Sequence, residues 1–275
     1  MSRFTNQVAA ITGASSGIGR ALALRLAERG AALSLSDIDP EGLERTAEAA
    51  RETGVKVTTA TVDVADRDAM HAWAEQTAHE HERVNFIFNN AGVALASNVA
   101  EIEYEDFEWI MGINFWGVVH GTTAFMPHLR ASGRGHVVNI SSVFGIIAVP
   151  TQGAYNATKF AVRGYTEALR QELAMERAPV SATVVCPGGI KTNIARAARM
   201  KLGKTAETNA ALSKRFERMF MTPPTRAADI ILRGVARDKA RVLVGPDAHL
   251  IHALQRTLPT GYAYVTRAMA KRSGI

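Results

Sequence analysis

The sequence predicts an α/β chain built as one doubly wound parallel sheet of about seven strands, with helices on both faces. Three observations predict it. Short apolar runs alternate with longer helical periods from the first residues onward, a glycine-rich turn separates the first strand from the first helix, and 275 residues that are 47% hydrophobic and 21% charged can bury one sizeable core. Parallel strands separated by helices of this length need crossover connections, which cover both faces of an open sheet.

Residues 7–11 read as the first strand and 18–29 as the first helix, closed by Gly30. Residues 32–36 form the second strand, and 40–53 a helix with Pro40 in its first turn and Gly54 beyond its end. Strands follow at 55–62, 84–89, 136–141 and 180–186, with helices near 66–80, 104–130 and 154–177. After Pro187 the pattern loosens: residues 193–223 are rich in Ala, Arg, Lys and Met until Pro223-Pro224 stops them. A helix at about 225–237 and a strand at 241–244 resume the rhythm. With no Pro/Gly/Ser-rich linker, residues 1–245 read as one domain carrying a lid insertion at 193–223. Residues 246–275 read as its helical extension, broken at 259–261.

Composition excludes several classes. The chain is too apolar for a disordered segment, and its single cysteine, Cys186, excludes an internal disulfide and a multi-cysteine metal site. No stretch approaches about 18 consecutive apolar residues, so no transmembrane helix is expected. The N-terminal residues run straight into a strand pattern without a leader-like stretch, and a cytoplasmic location is expected. The net charge of +6 is uneven: residues 1–190 hold 15 Lys+Arg against 21 Asp+Glu, or −6, and residues 191–275 hold 17 against 5, or +12. The cations of the final third are dispersed, so they read as solvated or facing an acidic part of a neighbouring subunit, rather than an acidic ligand, partner or lipid surface. No nucleic-acid-binding motif is present, and no such partner is expected.

The turn Thr12-Gly13-Ala14-Ser15-Ser16-Gly17-Ile18-Gly19 opens the first βα unit. Glycines there permit positive φ and close backbone approach to a pyrophosphate, while the helix N-terminus offers free N–H groups. The spacing is G-x-x-x-G-x-G, not the commonest fingerprint, but its position gives it weight. Asp37 follows the second strand, where a carboxylate accepts hydrogen bonds from an adenosine ribose and repels a 2′-phosphate. Ile38 and Ser16 supply no cation, so NAD is expected over NADP, the alternative. Asp39, before Pro40, is the better cap for the second helix.

Tyr155 and Lys159 stand at i and i+4 of a helix, stacked on one face. A free tyrosine titrates near 10, and lowering it by about three units takes roughly 4 kcal/mol of differential stabilisation. A neighbouring ammonium, helped by a positive nicotinamide ring, supplies much of that. Ser142, 13 residues earlier at a strand end, can hold a carbonyl oxygen for the tyrosine to protonate.

These residues together resemble the classical short-chain dehydrogenase/reductase family, over about residues 5–192. The resemblance rests on the glycine motif from Thr12 to Gly19, Asp63-Val64 after the third strand, Asn89-Asn90-Ala91-Gly92 after the fourth, Asn114 mid-helix, Ser142, Tyr155, Lys159, and Pro187-Gly188-Gly189-Ile190-Lys191-Thr192. It implies a Rossmann-type fold and an NAD(P)-dependent alcohol dehydrogenase or ketone reductase with Asn114, Ser142, Tyr155 and Lys159 as catalytic residues. Asn114 would kink its helix and hold a relay water, and Lys159 would bridge the nicotinamide ribose. Cofactor contacts fall to Gly13, Ser15, Ser16, Gly17, Ile18, Gly19, Asp37, Asp63, Val64, Asn90, Ala91, Gly92, Tyr155, Lys159, Pro187, Gly188, Ile190 and Thr192. The resemblance also implies a homodimer or homotetramer paired through the helices at 104–130 and 154–177.

Substrate readings follow from the loop after Ser142. Phe144, Ile146 and Val149 offer apolar surface suited to a bulky hydrophobic ketone or secondary alcohol. Met200, Leu202, Met219, Phe220 and Met221 would form an adaptable lid. The tail from Leu250 to Arg272 reads as packing on protein rather than on a membrane. No metal is expected: His71, His79 and His81 lie on a charged helix face, and His249 and His252 lack a matching carboxylate. Cys186 reads as a small buried residue, and Trp109 and Trp116 as core or subunit contacts. Two other functions remain open, a 3-oxoacyl-thioester reductase and a non-catalytic dinucleotide sensor. The absent 2′-phosphate partner weighs against the first, and the retained tyrosine and lysine against the second.

Overall fold

The computed structural model describes residues 3–194, 197–202 and 221–272 of the chain. Seven parallel strands form the central sheet: β1 (Val8–Thr12), β2 (Ala32–Asp37), β3 (Val57–Thr61), β4 (Phe86–Asn89), β6 (Gly135–Ile140), β7 (Val180–Pro187) and β9 (Arg241–Val244). Their order is β3-β2-β1-β4-β6-β7-β9. The chain winds outward from β1 through β2 to β3, then returns to β4 on the other side of β1. The switch point between β1 and β4 therefore opens a crevice at the carboxyl ends of the strands, where ligands bind in such sheets.

Alternation along the strands divides the core into two layers. Ala9, Ile11, Phe86, Phe88 and Val138 face one side, where Leu22 and Leu26 of α1 (Gly17–Ala27) and Ile231, Leu232 and Val235 of α7 (Pro224–Ala236) cover them. Ala10, Ile87 and Val137 face the other, under Met70 and Trp73 of α3 (Arg67–His81) and Phe125 and Leu129 of α5 (Gly117–Ala131). Trp73 meets Phe125 edge-on at 4.9 Å and donates its indole N–H to Ser34 Oγ at 3.0 Å. Fully burying each such side chain contributes about 1.5–3 kcal/mol.

Local chemistry sets the ends of the helices. Asp39 caps α2 (Pro40–Arg51) by accepting from Gly42 N at 3.1 Å, as its place before Pro40 predicts. Asp66 caps α3 by accepting from Asp68 N and Ala69 N. The helix expected over 104–130 is interrupted: α4 (Tyr104–Met111) passes into a wider π-turn, Gly112–Trp116, before α5 begins. The one amide side chain of that turn, Asn114, is fully buried.

Two further helices close the chain, α8 (Pro246–Thr257) and α9 (Tyr262–Arg272), separated where the break is expected. The sequence gives no sign of a second, two-stranded sheet, in which β5 (Leu95–Ala96) pairs with β8 (Arg199–Met200). Two-residue strands carry no periodicity, and tertiary placement alone forms them. β8 fastens the start of the expected lid beside α4, where Arg199 pairs with Asp106 at 2.7 Å and its guanidinium lies 3.6 Å from the Trp109 ring centre. Met219 and Phe220, expected in the lid, lie outside the described residues.

Candidate active site

The glycine turn at the end of β1 is built by close approach. Gly13 has φ +66°, and a Cβ there would stand 2.8 Å from Ala91 Cα; at Gly19 it would stand 2.0 Å from the Gly13 carbonyl oxygen. Thr12 Oγ1 accepts from Asn90 N at 2.9 Å and Ala91 N at 3.0 Å, while Asn90 Nδ2 donates to the carbonyls of Thr12 and Gly13. These bonds join the loop after β4 to the glycine turn across the switch point.

Ser16 precedes α1 without capping it through its side chain, and no acidic residue occupies the first turn. The first N–H groups of α1 thus keep an anion-receptive end, unlike those of α2 and α3. Asp37, at the end of β2, accepts from Ser15 N at 2.9 Å and Asp39 N at 3.1 Å, so one carboxylate holds the turn and stands beside it. Ile38 is 69% exposed and brings no charge. Ile18 packs partly into the core. Asp63 accepts from Ala65 N, and buried Val64 lies against Gly117, where a Cβ would meet it at 2.7 Å. This backbone cradle, uncapped helix end and carboxylate fit a dinucleotide without a ribose phosphate.

The segment after β7 closes the other side. Thr192 leans over Gly17, where a Cβ would stand 3.1 Å from Thr192 Cγ2. Pro187 pairs with Val244, Gly188 N donates to the Val244 carbonyl, and Ile190 is buried and bridges to Thr222. Asp247, in the first turn of α8, accepts from Gly189 N at 2.6 Å. Sequence reasoning missed Asp247, because its partner is 58 residues away. The only local signal was an acidic residue after a proline at a helix start.

Ser142, Tyr155, Lys159 and Asn114 come together at the carboxyl end of β6. Ser142 follows β6 and accepts from Phe144 N at 3.1 Å. That bond leaves its own proton free to face Tyr155, in the first turn of α6 (Gly153–Met175). Lys159 lies one turn further on, its Nζ 5.6 Å from the Tyr155 ring centre, donating to the Ile140 carbonyl at 3.2 Å. Asn114 donates from Nδ2 to the Val93 carbonyl at 2.9 Å and accepts from Val93 N at 2.8 Å. Its side chain also reaches Thr158 Oγ1 at 3.3 Å, so the amide is committed to protein partners. Gly92 leaves room beside both groups: a Cβ there would stand 3.1 Å from Asn114 Oδ1 and 3.5 Å from Lys159 Nζ.

The electrostatics differ from the simple expectation. Burial pushes the Tyr155 phenol up to about 12, opposed by the Ser142 hydrogen bond, and pushes the Lys159 ammonium down to about 8. Desolvation therefore outweighs the neighbouring amine in the protein by itself, and the phenol holds its proton.

The expected substrate loop divides. Phe144 stands edge-on to Tyr155, ring centres 6.0 Å apart. Ile146 is buried with Ile147, Val184 and Cys186, packed on the dry surface of β7. Val149 packs on the same cluster with Leu243, Ile251 and Tyr262. Asn156, which sequence reasoning passed over, fixes this loop by donating to the carbonyls of Phe144 and Ile147 and accepting from Val149 N.

Other candidates fall outside the site. His81 is buried and bonded to Thr58, while His71 and His79 are exposed. No group of three potential metal ligands occurs among the described residues. Cys186 is buried and its thiol is pushed up to about 12 by desolvation, which makes it a poor nucleophile. Trp116 is 50% exposed, and Trp109 carries the Arg199 guanidinium. No helix among the described residues is long and apolar enough to cross a membrane.

The chain is similar to known proteins. Residues 7–203 match the family model for short chain dehydrogenase. The chain is 49% identical over 268 residues to a putative oxidoreductase, SadH, of Mycobacterium tuberculosis, covering 98% of this chain and 96% of that protein. Among solved structures, a short chain dehydrogenase/reductase from Burkholderia phymatum in complex with NAD superposes with a TM-score of 0.86 at 31% identity, covering 94% and 95% of the two chains. Levodione reductase superposes with a TM-score of 0.80 at 29% identity, covering 91% of this chain and all of that one.

Proposed function

The chain belongs to the short chain dehydrogenase family and is an NAD(P)-dependent oxidoreductase; from that premise we propose that it interconverts a secondary alcohol and a ketone, with NAD as cofactor and a bulky hydrophobic substrate. The observation that carries this reading is the placement of Tyr155 with Lys159 Nζ 5.6 Å from its ring and Ser142 fixed beside it through Phe144. Asp37 and the uncharged Ile38 support NAD over NADP. The family resemblance supports a homodimer or homotetramer.

Bound NAD supplies the hydride donor or acceptor. The protein's own part is protonic and positional. Tyr155, a neutral phenol in the buried site, is poised to give its Oη proton to a substrate oxygen during reduction and to take one back during oxidation. Ser142 Oγ, already accepting from Phe144 N, directs its own proton toward the same oxygen and polarises it. Lys159, buried with a carbonyl partner, keeps a cation within reach of the phenol and favours its ionised form when the proton leaves. Asn114 and Asn156 position these groups by fixing the chain on either side. Phe144 supplies apolar surface next to Tyr155.

A matrix of NADH and NADPH against ketones of graded size, with a 3-oxoacyl thioester included, tests the reading. The expected result is turnover with NADH on aryl or long-chain ketones. Tyr155→Phe should lower kcat by about 10²–10⁴ while NADH binding, followed by fluorescence, stays within a few-fold. Turnover confined to the thioester, or a fully active Tyr155→Phe enzyme, overturns it.

A further inference from the structure

We propose that the outward face of the two C-terminal helices is a docking surface for an anionic lipid bilayer. Four large apolar side chains stand exposed within 16 residues of chain: Leu250 at 72%, Leu258 at 47%, Tyr264 at 73% and Val265 at 40%. Exposed single hydrophobic residues are ordinary, but a concentration on two successive short helices marks an interaction surface.

Charge identifies the partner. Arg256 and Arg267 are exposed on the same two helices, and Arg267 lies over the Tyr264 ring at 4.7 Å. Lys271 and Arg272 follow in sequence. Asp247 is the sole acidic residue from 239 to the end of the sequence, and its carboxylate is turned to Gly189 N. The exposed side chains of the two helices are therefore cations and apolar groups with no exposed carboxylate among them, the combination that binds anionic headgroups. A two-fold contact between copies of this face would set cations against cations, which disfavours self-pairing.

The inner side of the same helices connects this surface to the site. Ile251 and Tyr262 pack on the cluster containing Ile146 and Ile147, and Tyr262 Oη accepts from Ala148 N at 3.2 Å. Lipid docking would bring the loop that borders Tyr155 within one helix layer, about 10 Å, of the bilayer. A water-insoluble ketone or alcohol held in that bilayer then becomes accessible to the site. The docking surface stands independently of the substrate reading.

Co-sedimentation of the full-length protein with vesicles tests the proposal, using phosphatidylcholine alone and an equimolar mixture with phosphatidylglycerol. The expected result is salt-sensitive binding to the mixed vesicles and little to phosphatidylcholine. Arg256→Gln with Arg267→Gln should weaken it about 25-fold, roughly fivefold per cation, with oligomeric mass and turnover of a soluble ketone unchanged. Leu250→Ser with Val265→Ser should weaken it as well, and unchanged thermal melting of both variants checks their folding. Absence of binding, equal binding to both vesicles, or undiminished binding by the arginine variant overturns the proposal. So does a serine variant that changes the protein's mass by light scattering while vesicle binding persists, since the face is then a subunit contact.

Discussion

Asn114 meets Val93 as one strand residue meets another: its amide donates to the Val93 carbonyl at 2.9 Å and accepts from the Val93 N–H at 2.8 Å. A side chain inside a helix thus completes the main-chain bonding of the loop that follows Gly92. The wider turn at Gly112–Trp116 is the local cost of aiming it there. Asn114→Ala leaves both Val93 groups without those partners, and a loss of about 2–4 kcal/mol in urea unfolding is expected. Asn114→Asp removes the donor alone and should lose about half as much. Equal stability of all three proteins would contradict this role.

Asp37 holds the glycine turn through Ser15 N and stands where an adenosine ribose is expected. Charged hydrogen bonds of this kind contribute about 1.5–3 kcal/mol. Asp37→Asn should therefore weaken NAD binding about 10–100-fold, and because the repulsive charge is gone, the preference over NADP should narrow. Fluorescence titrations with both cofactors measure this, and an unchanged preference counts against the assignment.

Lys159 is held down to about 8 by burial, and Tyr155 up to about 12. Ketone reduction needs the tyrosine proton, present throughout the neutral range, and the lysine charge, lost as pH rises through its value. The kcat/KM for reduction should be level below about pH 8 and fall about tenfold per unit well above it. Lys159→Arg, which stays charged, should lower the rate but shift that descending limb upward. A limb that does not move would assign it to another group.

His136 is fully buried in β6, and burial with the nearby Arg3 cation pushes its imidazole down to about 3. Arg3 can only donate, so Nδ1 accepts at 3.2 Å and Nε2 carries the proton to Thr183 Oγ1 at 2.8 Å. The approach of Asp238 to 3.9 Å is accordingly no ion pair at neutral pH. The folded pKa lies below the unfolded value of about 6.5, so this contribution to stability is fully present above 6.5 and lost as pH falls from there toward 3. Unfolding free energy should decline by up to about 1.4 kcal/mol per pH unit across that window. His136→Gln should flatten the slope, as measured by denaturant melts between pH 4 and 7. An unchanged slope would locate the acid sensitivity elsewhere.

The seven strands were legible because each is a short apolar run between turn signals, and the glycine turn, Ser142, Tyr155 and Lys159 because their spacing is local and their residue types are chemically demanding. What was not legible depends on distance along the chain. Asp247 reaches Gly189, and Asn89 donates to Asn139 from a neighbouring strand at 2.8 Å; neither bond leaves a mark in any short window. The packing of Ile146 against Val184 of β7 is equally distant in sequence. The basic final third also looked outward in sequence. Part of it is answered within the chain, by Arg199 with Asp106, Lys201 with Glu103, and Arg241 with Glu167. The rise of the Tyr155 phenol on burial leaves no mark in the spacing either, which reports the amine and not the desolvation.

The bond from Gly189 N to Asp247 decides where this protein can be shortened. A chain cut before Pro246 would keep every sequence signature of the nucleotide crevice and would still read as a complete enzyme. It would nevertheless leave Gly189, in the segment leading to Thr192, without its acceptor, so the appendage at the carboxyl terminus braces the crevice wall and is not a removable tag.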